Sequence, residues 1–187
     1  MELKVLVDNN SLIDRYFLAE PGLSFYVNDD GHELLFDLGY SDIFYQNAVK
    51  MGLNLHSVED VVISHGHLDH TWGLEPYIRK LTEYQFEGKP TLRPRLVAHP
   101  SAFTSVLGEG SNEFGALMSA GKLSKHFELH LSSEPVSITP KLIWLGEVPR
   151  VFDFENQQTF GHKEGESQDD LVPDDSALVF KSEKGLV

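Results

Sequence analysis

The stretch that most constrains this chain is Val61-Val62-Ile63-Ser64-His65-Gly66-His67-Leu68-Asp69-His70. Three consecutive β-branched apolar residues predict a buried strand, and the loop after it carries three imidazoles and a carboxylate within six positions. His65 and His67 are two apart, so in an extended chain both rings leave the same side and can close on one divalent ion. Asp69 and His70 come from the turn after the strand. A carboxylate and a third imidazole at that offset suit a second ion beside the first, and Gly66 lets the backbone pack close to both. The plainer alternative is a surface histidine cluster with weak metal affinity. Placement at the end of a buried strand argues against it. Closed structural zinc sites are usually cysteine-rich and this chain has no cysteine, whereas His/Asp sets with an open position are catalytic.

At 187 residues the chain is expected to form a single domain spanning 1–187 with a core of its own. Fifteen basic against 29 acidic residues, a net charge of −14, argue against a broad electrostatic grip on nucleic acid and leave a small molecule as the expected partner. The absence of cysteine excludes a disulfide framework, and Met1-Glu2-Leu3-Lys4 has no basic-then-apolar signal pattern, so a cytoplasmic location is the default. No apolar run approaches the ~18 residues of a membrane span.

Leu3 to Val7 predicts a first strand. Leu23 to Val27 and Glu33 to Asp37, joined through Asn28-Asp29-Asp30-Gly31, predict a hairpin. Asp37 ends the second strand of that hairpin, where a carboxylate either orients a ligand or caps a helix. Ser41 or Asp42 can cap a helix through Phe44, Ala48 and Met51 that stops at Gly52. Leu74, Ile78 and Leu81 stripe a second helix, begun by Gly73 and Pro76, whose N-terminal dipole is expected to point at the metal loop. Arg95 to Pro100 predicts a strand, and the alternation from Glu33 onward is the βαβ pattern of an α/β domain. Ser101 to Lys125, with four glycines and no period, reads as a mobile loop shaping a substrate entrance. Phe127 to Leu131 and Ile138 to Leu145 read as one strand each, Gly161 to Pro173 as an acidic surface loop, and Ala177 to Phe180 as a strand that turns at Lys181 to Gly185 into a partner.

The other histidines carry weaker signals. His32 is expected to be solvated and His56 to precede a polar turn, while His126, His130 and His162 lie in polar surroundings. His99, at the end of a strand, reads first as a core or rim histidine and second as a ligand. Arg150 can hold a substrate anion or pair with an acidic neighbour.

The motif, with Leu35-Phe36-Asp37-Leu38-Gly39 before it, resembles the metallo-β-lactamase superfamily. Gly22-Leu23-Ser24, Asn47-Ala48, Leu74, Gly146-Glu147-Val148-Pro149-Arg150 and Asp174-Asp175-Ser176-Ala177-Leu178-Val179 are similar to its branch of 7,8-dihydropterin-6-methyl-4-(β-D-ribofuranosyl)aminobenzene-5′-phosphate synthases. Trp72 departs from the small residue such sequences more often have there, and is expected to narrow the cleft. The resemblance implies an α/β fold of the αββα four-layer kind, with His65 and His67 on a first metal and Asp69 and His70 on a second. It also implies a metal-dependent hydrolase or synthase that uses a metal-activated water, with Asp69 in the catalytic set, on a small phosphorylated or ester-bearing substrate, including a pterin-ribofuranosyl-aminobenzene-phosphate type. Two zinc ions are the expected cofactors, with manganese or iron as alternatives. The rival reading is a metal-containing binding or sensor module without turnover.

Two imidazoles leave the first ion short of the three protein ligands a catalytic zinc generally has. The last strand is expected to be cut short at Val187, with the αββα fold lacking its C-terminal part. Further ligands are then expected beyond Val187, or from Asp174, Asp175 or His99, and the chain alone is expected to bind metal weakly.

Overall fold

A computed structural model describes residues 1–108, 110, 112–152, 154–155, 159–164 and 169–187. β1 (Glu2–Val7) lies antiparallel beside β2 (Ser24–Asp29), which the Asp30-Gly31 turn folds back onto β3 (His32–Phe36) as the sequence predicts. Next come α1 (Ile43–Lys50), β4 (Asp60–Val62), α2 (Leu68–Thr71), α3 (Leu74–Phe86) and β5 (Arg95–Ala98). They are followed by β6 (Val106–Leu107), α4 (Ala120–Leu123), β7 (Glu128–Leu131), β8 (Val136–Ser137) and β9 (Leu142–Trp144). β10 (His162–Lys163), β11 (Leu178–Ser182) and β12 (Gly185–Leu186) complete the order.

Six strands form the large sheet in the order β1-β2-β3-β4-β5-β7, parallel from β3 onward. Strand register explains how its two faces are used. Leu35, Val61 and Leu96 share one row and Phe36, Val62 and Val97 the next, and successive residues of a strand face opposite sides. The first row packs against Phe44 and Ala48 of α1 and Leu74, Tyr77 and Leu81 of α3. The second packs, with Val27 and Leu34, against Val136, Ile138, Leu142 and Trp144 of a smaller sheet of order β12-β11-β9-β8. Parallel strands buried on both sides need apolar residues at every position, which is why Val61-Val62-Ile63 is an unbroken run. Helix, sheet and sheet are thus three layers of the expected αββα sandwich. Among the described residues, α1, α3 and α4 all contribute to the first core and no helical residue to the second.

Three expectations are corrected. Ser101 to Lys125 is framework rather than a lid: Ala102, Phe103, Ala116 and Leu123 are buried in the first core, and β6 pairs with β10. Its apolar residues lack a period because Ala102, Phe103 and Ala116 drop into the core from irregular backbone and only Leu123 from a helix; Glu109 and Ser111 lie outside the described residues. Ile138 to Leu145 is not one strand. Thr139 Oγ1 accepts from the N–H groups of Lys141 and Leu142 and donates to Asp29, folding the chain into a β8–β9 turn around Pro140. Gly161 to Pro173 is not all surface, because Lys163 and Asp170 are buried; residues 165–168 of that stretch lie outside the described residues. No helix among the described residues is long and apolar enough to cross a membrane.

Candidate metal centre

Parallel pairing of β3 with β4 brings the ends of the two strands, Asp37 and Ser64, side by side. Asp37 is fully buried, in the left-handed backbone region at φ 55°, and its two carboxylate oxygens take three donors. Oδ1 accepts from the Ser64 N–H at 2.8 Å, while Oδ2 accepts from the Ser64 hydroxyl at 2.7 Å and from His70 Nδ1 at 2.7 Å. Of the two roles the sequence leaves open for Asp37, the structure selects the first: it orients a histidine.

These bonds assign the ring protons. A carboxylate can only accept, so His70 carries its proton on Nδ1 and keeps its lone pair on Nε2. The Ser64 hydroxyl spends its proton on Asp37 and must accept from His65 Nδ1 at 3.0 Å, which leaves the His65 lone pair on Nε2 as well. His67 Nε2 donates to Asp170 Oδ2 at 3.1 Å and is free at Nδ1. Each of the three rings is therefore oriented by one hydrogen-bonded nitrogen, with its other nitrogen left free of these bonds. Burial and the neighbouring His70 push His65 down to about 4, so its ring stays unprotonated at neutral pH. Burial presses His70 downward too, but the charge and hydrogen bond of Asp37 outweigh it and the net shift is upward.

The ring centroids of His65 and His67 are 4.7 Å apart and those of His65 and His70 4.1 Å. Asp69 Oδ2 lies 3.7 Å from His70 Nε2. Asp69 and His70 sit on the short helix α2, not in a simple turn, and α2, rather than the start of α3, is the helix that adjoins the imidazoles. His65, His67 and Asp69 line a cleft of about 720 Å³ with Phe114, Phe160, Arg150 and Asp175. Among the described residues no three His, Cys, Asp or Glu side chains already converge as a finished ion cage. The donor set nevertheless suits a divalent ion: three imidazoles each held in place by a hydrogen bond, with carboxylates beside them.

Two glycines make the loop possible. A Cβ on Gly66 would lie 2.2 Å from the Ala102 carbonyl oxygen, and one on Gly22 2.1 Å from that of Asp69. Asp174, a candidate further ligand, spends Oδ2 on the Gly66 N–H and Oδ1 on Lys163. Asp175 remains exposed, 4.0 Å from His65 Nδ1, and faces the cleft. His99 bonds Ser101 at 2.8 Å and is a rim residue. Arg150 lines the cleft, and its two guanidinium ends donate to the carbonyls of Leu171 and Val172, which wall it; among the described residues it forms no ion pair. Trp72 does not narrow the cleft. It stacks on Tyr40 and donates to the Gly115 carbonyl at 2.8 Å. His32 is not solvated, since it pairs with Asp60 at 2.6 Å, and His56 is buried against Tyr84. Sequence reasoning misses Asp170 and Lys163; the available signal was a lone lysine within an otherwise acidic stretch.

The sequence model of the Metallo-beta-lactamase superfamily matches residues 18–173. The chain belongs to the metallo-β-lactamase superfamily. Within that superfamily it is similar to an uncharacterized protein of Methanocaldococcus jannaschii, MJ0448, with 28% identity over 96% of this chain and 66% of that one. It is also similar to the 7,8-dihydropterin-6-methyl-4-(β-D-ribofuranosyl)-aminobenzene-5′-phosphate synthase of the same organism, with 27% identity over 91% and 60%. Among solved structures, Tm1679, a metal-dependent hydrolase of the β-lactamase superfamily, superposes with a TM-score of 0.73 at 27% identity, covering 98% of this chain and 62% of that one. The chain thus spans 60–66% of the length of these relatives, less than two thirds.

Proposed function

We propose that this superfamily member is a metal-dependent hydrolase or synthase acting on a small phosphorylated or ester-bearing molecule, with two zinc-like ions as its cofactors. The reading rests on one observation: hydrogen bonds donated to Ser64, Asp170 and Asp37 fix His65, His67 and His70, and His65, His67 and Asp69 line a cleft. His65 and His67 would hold the first ion, Asp69 and His70 the second. When bound, such ions polarise a carbonyl or phosphoryl oxygen and lower the pKa of water. The chain's own part is placement. Phe114, Phe160, Leu171 and Val172 wall the cleft, and Asp69 and Asp175 offer carboxylates within it. Asp175 is open to solvent at the cleft mouth, and partial desolvation by the cleft walls raises its carboxyl above the ordinary value against the pull of Arg150. The names of the synthase and of the metal-dependent hydrolase among its relatives support the same reaction class.

Zinc-, manganese- and iron-loaded protein is expected to hydrolyse at least one member of a panel of phosphomonoesters, phosphodiesters, lactones and thioesters, including a pterin-ribofuranosyl-aminobenzene phosphate. A chelator should abolish the rate and added metal should restore it. Tight metal binding with no turnover across the panel would instead support the sensor module.

A further inference from the structure

Lys163 on β10 is only 5% exposed. Its ammonium lies 2.9 Å from Asp174 Oδ1, 3.6 Å from Asp170 Oδ1 and 3.2 Å from Ser101 Oγ. Both carboxylates are themselves buried. Each also turns its other oxygen toward the histidine loop: Asp174 Oδ2 accepts from the Gly66 N–H at 2.8 Å, and Asp170 Oδ2 accepts from His67 Nε2 at 3.1 Å. One ammonium therefore stands behind two carboxylates, one gripping the backbone between His65 and His67, the other gripping the His67 ring. Buried charges are retained only when paired, and two carboxylates this close repel unless a cation lies between them. A carboxylate that accepts from one imidazole nitrogen decides which nitrogen keeps the lone pair.

We propose that Lys163 is a positioning residue for the metal centre. By neutralising Asp170 and Asp174 together it keeps Asp170 on the His67 Nε2–H and Asp174 on the Gly66 N–H, so that His67 stays in the tautomer whose lone pair is on Nδ1. Its role toward a metal rests on the function proposed above, whereas its hold on the His67 tautomer does not. Without the ammonium, one carboxylate takes up a proton or turns away, and the His67 ring is released from its single tautomer.

The test compares the parent with Lys163→Met and Asp170→Asn, all metal-free, by long-range 15N–1H correlation of the imidazoles. Lys163→Gln, which keeps donors at that point and loses only the charge, serves if the methionine variant does not fold. His67 is expected as a pure Nε2–H tautomer in the parent and as a mixture in the variants, while His56, bonded to Tyr45 elsewhere, is unchanged. Zinc affinity, measured by competition with a chromophoric chelator, should fall about 10–100-fold in the Lys163 variant. If the folded variants melt earlier but keep the parent's His67 tautomer and zinc affinity, Lys163 is only a structural ion pair and the proposal is overturned. If the parent itself binds no zinc, the metal reading fails, and the tautomer comparison still decides the positioning network: a shift supports it and no shift overturns it.

Discussion

Asp37→Ala is expected to destabilise the protein by about 3–5 kcal/mol, the range for removing one partner of a buried charged network. Three donors lose their acceptor at once: the Ser64 N–H, the Ser64 hydroxyl and His70 Nδ1. Each buried donor left unpaired costs about 1–3 kcal/mol, reduced where water enters. Alanine also inherits the φ of 55°, which aspartate tolerates better than other residues with a Cβ. Urea unfolding of metal-free parent and variant measures the difference. Since domains of this kind are stable by only about 5–15 kcal/mol, the loss should be plain in the midpoint. A loss below about 1 kcal/mol would mean that the buried carboxylate does not hold the two strand ends together.

Trp144→Ala is expected to cost a similar 3–5 kcal/mol for a different reason. The indole is fully buried between the two sheets, packed with Val62, Val97 and Leu142, and its Nε1–H donates to the Ile63 carbonyl at 3.1 Å. Truncation leaves a cavity in the second core and frees the backbone one residue before Ser64, so the loop should loosen as well. Trp144→Phe, which refills most of the volume but not the hydrogen bond, should recover most of the loss. If alanine costs less than about 2 kcal/mol, the smaller sheet is not a full partner in the core.

Much of this was legible because period and punctuation agree. The Asp30-Gly31 hairpin, the stripe of Leu74, Ile78 and Leu81, and the run Val61-Val62-Ile63 each have one physical reading, and each forms as read. That the four motif residues lie together after β4 was legible because they are neighbours in sequence. What surrounds them was not: Asp170 reaches His67, and Lys163 reaches Gly66 only through Asp174, from about a hundred positions away, and no sequence period records a contact of that span. Ser101 to Lys125 failed for a related reason. Glycine there serves close packing as well as mobility, and Ala102 and Phe103 reach the core from irregular backbone that has no period to detect. Ile138 to Leu145 shows the limit for short strands, where one threonine hydroxyl accepting two N–H groups turns the chain within an otherwise continuous apolar run.

The most direct test of the central claim is equilibrium dialysis of the parent and the single variants His65→Ala, His67→Ala, Asp69→Ala and His70→Ala against zinc, read by elemental analysis. Loss of His65 or His67 should remove the zinc that the parent holds, whereas loss of Asp69 or His70 should spare the first ion and weaken the second. Equal zinc in the parent and all four variants would contradict it.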